Sequence, residues 1–125
     1  MTLLGLHSFL TASLTGKPHA PTALRFEATG KSVSLYWNPG WDGGLAQTFT
    51  ININGQIIRN IPDTNEETMV HKLEDGVLPD TSYVASIVAE NEIGQIDPVS
   101  WPLIQTPREI VISFVAAEFE SHCFA

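Results

Sequence analysis

Apolar and polar residues alternate in short runs between Pro18 and Pro107, with turn residues between the runs. A period of two sends successive side chains to opposite faces, so each run predicts a half-buried strand. Leu24 and Phe26 share a face after Pro21; in the next run Val33, Leu35 and Trp37 share one, while Ser32, Ser34 and Tyr36 point the other way. Phe49, Ile51 and Ile53 mark a third strand that runs into Asn54-Gly55, the strongest short hairpin signal because both residues tolerate positive φ. Gln56 to Ile61 returns and stops at Pro62, and a further strand is expected from Thr68 to Leu73. After Pro79 comes a long strand with Tyr83, Ala85, Ile87 and Ala89 on one face. The last lies between Val99 and Thr106, broken or pushed to an edge by Pro102, which has no N–H for a ladder.

Seven strands in about 90 residues have the size and rhythm of a sandwich of two antiparallel sheets. The class is all-β, since no alternation of helix and strand patterns supports an α/β fold. Leu35, Trp37, Ile51, Tyr83 and Ile87 are read as core. Trp41, four residues after Trp37, is out of phase and sits among Pro39, Gly40, Asp42, Gly43 and Gly44. Two readings of it stay open: an indole folded onto loop or proline neighbours, or a contact residue for a partner.

Outside the alternating region the text changes. The opening from Met1 to Leu14 is leader-like but lacks the basic residues expected ahead of a signal peptide. Leu3, Leu6, Leu10 and Leu14 also fit a short flanking helix. The apolar stretch 110–117 is too short to span a bilayer and would favour β-aggregation if exposed. The expected organisation is a tail or leader over 1–17, the sandwich over 18–107 and a second tail over 108–125, both tails irregular or helical. The chain reads as a fragment of a longer multidomain protein.

Charge narrows the partners. Six Lys and Arg against 14 Asp and Glu give −8, which argues against nucleic acid or an anionic membrane surface as partner. No run reaches the roughly 20 apolar residues of a spanning helix, so direct membrane insertion is not expected. Cys123 is the one cysteine, so no intrachain disulfide forms, and no Lys or Arg beside it activates its thiol. His7, His19, His71 and His122 are scattered at no ligand spacing, and His71 reads as a solvent-side strand residue. Gly40 to Gly44 lacks the Lys-Ser/Thr of a phosphate loop, and there is no Asn-x-Ser/Thr glycosylation sequon. No enzyme activity, catalytic residue, cofactor or metal is expected.

Several of these residues together resemble a fibronectin type III domain: Pro21, Trp37, Asp42-Gly43-Gly44, Leu78-Pro79-Asp80-Thr81-Ser82-Tyr83, then Ala85, Ile87, Ala89, Asn91 and Gly94, and finally Thr106. The resemblance implies a seven-stranded antiparallel immunoglobulin-like β-sandwich of fibronectin type III topology, with Tyr83 as a tyrosine corner returning its hydroxyl to backbone just upstream. Asn91 and Gly94 are expected to supply left-handed or tight backbone in the loop after Ala89. Phe49 departs from the pattern, standing where a tyrosine is commoner. With that topology the loops at 38–47, 62–67 and 90–97 gather at one pole. They carry Asp42, Asp63, Glu66, Glu67, Glu90, Glu92 and Asp97 and no Lys or Arg. Such a pole is either simply solvated or steers a partner with a basic surface; calcium is the third reading, though no Asp-x-Asp-x-Asp-Gly spacing arranges ligands for it.

The wording from Gly40 to Phe49 is similar to that of animal cell-adhesion receptors of the nephrin and sidestep kind, while giant muscle proteins also carry Asp-Gly-Gly in this loop. No Arg-Gly-Asp tripeptide occurs, which excludes integrin binding through it. The resemblance thus implies a non-catalytic protein-interaction or spacer module from the extracellular part of an adhesion or receptor protein. Immunoglobulin-like or fibronectin type III neighbours would flank it in the parent chain. A cytoplasmic, muscle-type scaffold repeat is the alternative, with the accessory domain of a secreted enzyme behind it. Candidate contact residues for another protein are Trp41, Asp42, Leu45, Glu92 and Ile93.

Overall fold

The structure is a computed structural model that describes residues 14–108. The expectations for the leader-like stretch and for the apolar tail, with His7, His122 and Cys123, lie outside the described residues. Nine strand segments follow one another: β1 (Thr22–Ala28), β2 (Val33–Asn38), β3 (Thr48–Ile53), β4 (Gln56–Pro62), β5 (Met69–Leu73), β6 (Ser82–Tyr83), β7 (Ala85–Glu90), β8 (Val99–Ser100) and β9 (Ile104–Gln105). Their sheets run β1-β2-β5, β4-β3-β7-β8 and β6-β9, with every neighbouring pair antiparallel.

The seven expected strands become nine segments because two are interrupted. At Val84, between β6 and β7, the backbone N–H turns to Asn54 Oδ1 at 2.7 Å and the carbonyl accepts Asn54 N–H at 3.0 Å. Those groups leave the ladder and pin the β3–β4 hairpin instead. Between β8 and β9 lie Trp101, Pro102 and Leu103, where proline contributes no donor while Trp101 N–H still reaches Ala85 O at 2.9 Å. The β3–β4 turn has φ of 48° at Asn54 and 89° at Gly55, the two left-handed residues that a tight hairpin turn demands. A bulge in β1 lets four residues, Thr22 to Arg25, oppose three on β2, Asn38 to Tyr36, with Ala23 at φ 54°.

Alternation delivers the core. Val33, Leu35 and Trp37 of β2 are fully buried, as are Phe49 and Ile51 of β3 and Ala85, Ile87 and Ala89 of β7. Between the two sheets the Trp37 ring meets Phe49 edge-on at 5.4 Å and Trp101 edge-on at 6.2 Å, the geometry that aromatic quadrupoles prefer. Trp101, which the alternation does not mark, is 4% exposed. Its Nε1–H donates to Arg25 O at 3.0 Å and Tyr36 O at 3.1 Å, so a residue between β8 and β9 ties down β1 and β2. Tyr83 closes one end: its ring is buried and its hydroxyl accepts Leu78 N–H at 2.9 Å. Thr106 finishes the same corner, its Oγ1 donating to Leu78 O at 2.7 Å and accepting Thr81 N–H at 2.9 Å.

His71 corrects one expectation. It keeps phase with buried Met69 and Leu73 on β5, so it is half-buried on the inward side rather than on the solvent side. Burial holds its imidazole below the ordinary histidine pKa, because the charged form loses hydration there.

Trp37→Ala removes the ring both sheets share and should cost about 3–5 kcal/mol in urea unfolding; a loss under about 1 kcal/mol would contradict its central place. Trp101→Phe keeps a ring but leaves two carbonyls without their donor, and a loss of about 1–3 kcal/mol is expected in the same assay. For His71 the unfolded chain binds the proton more readily than the folded one. Its contribution is therefore complete above the unfolded pKa of about 6.5 and is lost as pH falls through the lower folded value. The urea midpoint should drop on acidification through this window, and His71→Gln should flatten that part of the curve.

Candidate functional site

Three loops converge at one pole of the sandwich. Gln47, at the end of the β2–β3 loop, donates from Nε2 to Asp63 Oδ2 at 2.8 Å and to Gly40 O at 3.1 Å. Asp63 N–H returns to Gln47 O at 3.3 Å, which joins the loops following β2 and β4. Asn91, following β7, donates from Nδ2 to Asp42 O at 2.9 Å and brings in the third loop.

Local sequence shapes each of them. Asp42 Oδ1 accepts Gly44 N–H at 2.8 Å, and Gly43 and Gly44 take φ of 81° and 83°, backbone that favours glycine. Asp63 Oδ1 accepts Asn65 N–H at 2.8 Å. In the third loop Asn91 Oδ1 accepts Ile93 N–H at 2.8 Å and Gly94 N–H at 3.3 Å, while Asn91 N–H donates to Gly94 O at 3.0 Å. Neither Asn91 nor Gly94 has positive φ, so the loop is tight but not left-handed. A Cβ at Gly94 would come within 2.9 Å of Lys17 Cε, the movable end of a side chain that passes over this loop.

The expected contact residues take different positions here. Trp41 is 48% exposed, resting edge-on against the His19 ring at 5.1 Å, and its carbonyl accepts His19 N–H at 2.8 Å. It is both folded on a neighbour and open to solvent. Ile93 is 53% exposed and Glu92 is exposed, whereas Asp42 and Leu45 are half-buried. Asp42 and Asp63 line a cleft of about 430 Å³ together with Ala46, Gln47, Pro62 and Asn65. Trp41, Leu45, Glu92 and Ile93 lie outside that lining.

Two organising residues carry no signal that alternation could reveal. Gln47 is 3% exposed and leaves its Oε1 without a partner, and Lys17 reaches the acidic pole from ahead of β1. The ion pair among the described residues is Lys72 with Glu74 at 3.3 Å, on and after β5, so among these residues no pole carboxylate is held in an ion pair. Among the described residues no three His, Cys, Asp or Glu side chains are grouped to hold a metal ion. No helix among them is long and apolar enough to cross a membrane. The arrangement offers recognition groups: an indole, carboxylates, and apolar Ile93.

Comparison with known proteins gives the following. No family model matches the chain. Among curated proteins, human Protein turtle homolog A is 30% identical over 100 residues, covering 73% of this chain, and human Protein turtle homolog B is 27% identical over 110 residues, covering 76%. The chain spans 8% of the length of either relative. Among solved structures, the third fibronectin III domain of human KIAA0343 protein superposes with a TM-score of 0.58 at 15% identity, covering 78% of this chain and 89% of that one. The fn3 domain of human contactin 1 gives 0.56 at 19% identity, over 78% and 85% of the two chains. Domains A168–A170 of titin give 0.54 at 21% identity, over 73% and 32%.

Proposed function

We propose that this chain, whose described residues form a fibronectin type III sandwich, is a non-catalytic protein-interaction or spacer module whose contact surface is the pole formed by the loops after β2, β4 and β7. The observation that carries the reading is Trp41: a large side chain about half exposed, yet held by the His19 ring and by a backbone hydrogen bond. An indole already fixed in place loses little freedom on binding and offers a large apolar face, which is why tryptophans anchor interfaces. Asp42, Asp63, Glu66, Glu67, Glu92 and Asp97 lie on the same three loops, with Glu90 at the end of β7, which supports a partner with a basic surface that approaches faster at low salt.

The finer placement is the extracellular region of a cell-adhesion or receptor protein, next to immunoglobulin-like or fibronectin type III neighbours. The likeness of Gly40 to Phe49 to adhesion-receptor wording supports it, together with the sequence match to the two turtle homologs. A second reading, a repeat of an intracellular muscle-type scaffold, is favoured by Asp42-Gly43-Gly44 and by the superposition on titin domains. The parent transcript separates them: a leader and a spanning helix support the first, a tandem array without either the second.

Against a panel of immobilised ectodomains, Trp41→Ala should weaken any partner found by about tenfold or more while leaving the urea midpoint unchanged. Binding that ignores this substitution would remove the pole as the contact surface. Binding that loses no affinity between low and physiological salt would remove the basic partner.

A further inference from the structure

The residues ahead of β1 do more than lead into the sandwich. Gly16 N–H donates to Gly43 O at 2.9 Å and His19 N–H to Trp41 O at 2.8 Å, so the chain between them runs antiparallel across the β2–β3 loop. Asn91 reaches the same segment from the far side, donating from Nδ2 to Gly16 O at 2.7 Å. With its second Nδ2 hydrogen on Asp42 O and its Oδ1 holding Ile93 and Gly94 N–H, the whole side chain is committed. Pro18 and Pro21 are buried behind this crossing.

One glycine makes room for it: a Cβ on Gly43 would overlap the backbone oxygen of Gly16, whereas one on Gly94 would meet only the movable Lys17 side chain. Composition alone gives the opposite expectation, because Thr15-Gly16-Lys17 with no apolar side chain reads as a flexible linker. In the fold each backbone polar group of half-buried Gly16 has a partner, and a peptide so held on both sides resists local opening.

We infer that Gly43 and Asn91 form a latch that fastens Gly16 to His19 onto the pole, so that this segment ahead of β1 moves with the sandwich as one body rather than as a slack linker. The inference goes beyond the proposed function, since the latch holds whether or not the pole binds a partner.

Backbone ¹⁵N relaxation and amide exchange on the full chain test it. Gly16 should show an order parameter near the value of about 0.85 found in rigid backbone, and its amide should exchange about tenfold or more slower than an unstructured glycine. Asn91→Asp keeps Oδ1 for Ile93 and Gly94 but replaces the donor facing Gly16 O with an acceptor. It should drop the Gly16 order parameter below about 0.6 while Ile87 and the other β7 amides keep their protection. Gly43→Ala should release Gly16 from the opposite loop. A wild-type Gly16 that moves and exchanges like a free linker overturns the inference, and so does a Gly16 left equally ordered in both variants.

Discussion

The sandwich depends on a T-shaped aromatic contact made across its middle. Trp37 arrives on β2 from one sheet, Phe49 on β3 from the other, and Trp101 from the break between β8 and β9, with the indole of Trp37 edge-on to both partners. Rings of this size bury much of the apolar area available to a small domain, and their orientation leaves the two sheets one way to face each other. The Trp101 Nε1–H adds a directional bond to that packing, because Arg25 O and Tyr36 O belong to strands on the opposite side. No disulfide takes part among the described residues, so closure of the sheets rests on this cluster and on the Tyr83 and Thr106 corner.

With the sheets fixed, the loops after β2, β4 and β7 have little choice of place. Strand register carries their ends to the same pole, where side-chain amides join them: Gln47 links the first to the second, and Asn91 links the first to the third. Both amides work as donors to oxygen atoms of neighbouring loops, which is why the pole can be rich in carboxylates and still be ordered. Asp42 and Asp63 each spend one oxygen on their own turn, Asp63 gives its second to Gln47, and both line the cleft between their loops. The same acidic side chains thus shape the loops and charge the cleft, while His19 fixes Trp41.

Legibility differed between residues for physical reasons. Val33, Leu35 and Trp37 repeat every second position, and a pleated strand can bury such a set on one face only; Asn54-Gly55 names its own turn. Trp101 has no alternation around it, because Pro102 breaks the strand, so its burial depended on which sheet lay opposite. The polarity of His71 points outward, although its phase with Met69 and Leu73 carries it inward. Gln47 and Asn91 look like ordinary loop residues, since a hydrogen bond spanning 49 positions, as between Asn91 and Asp42, leaves no local periodic trace.

By itself, then, the sequence determined the class of fold, the run of strands, the faces they bury and the acidity of the loops, since all of these follow from local periodicity and composition. Only the tertiary structure decided that Trp101 completes the core, that Gly43 is small to admit the Gly16 backbone, and that Trp41 stands half exposed against His19. Each of those depends on segments far apart in the chain meeting at one place, and such meetings exist only once the sheets have packed.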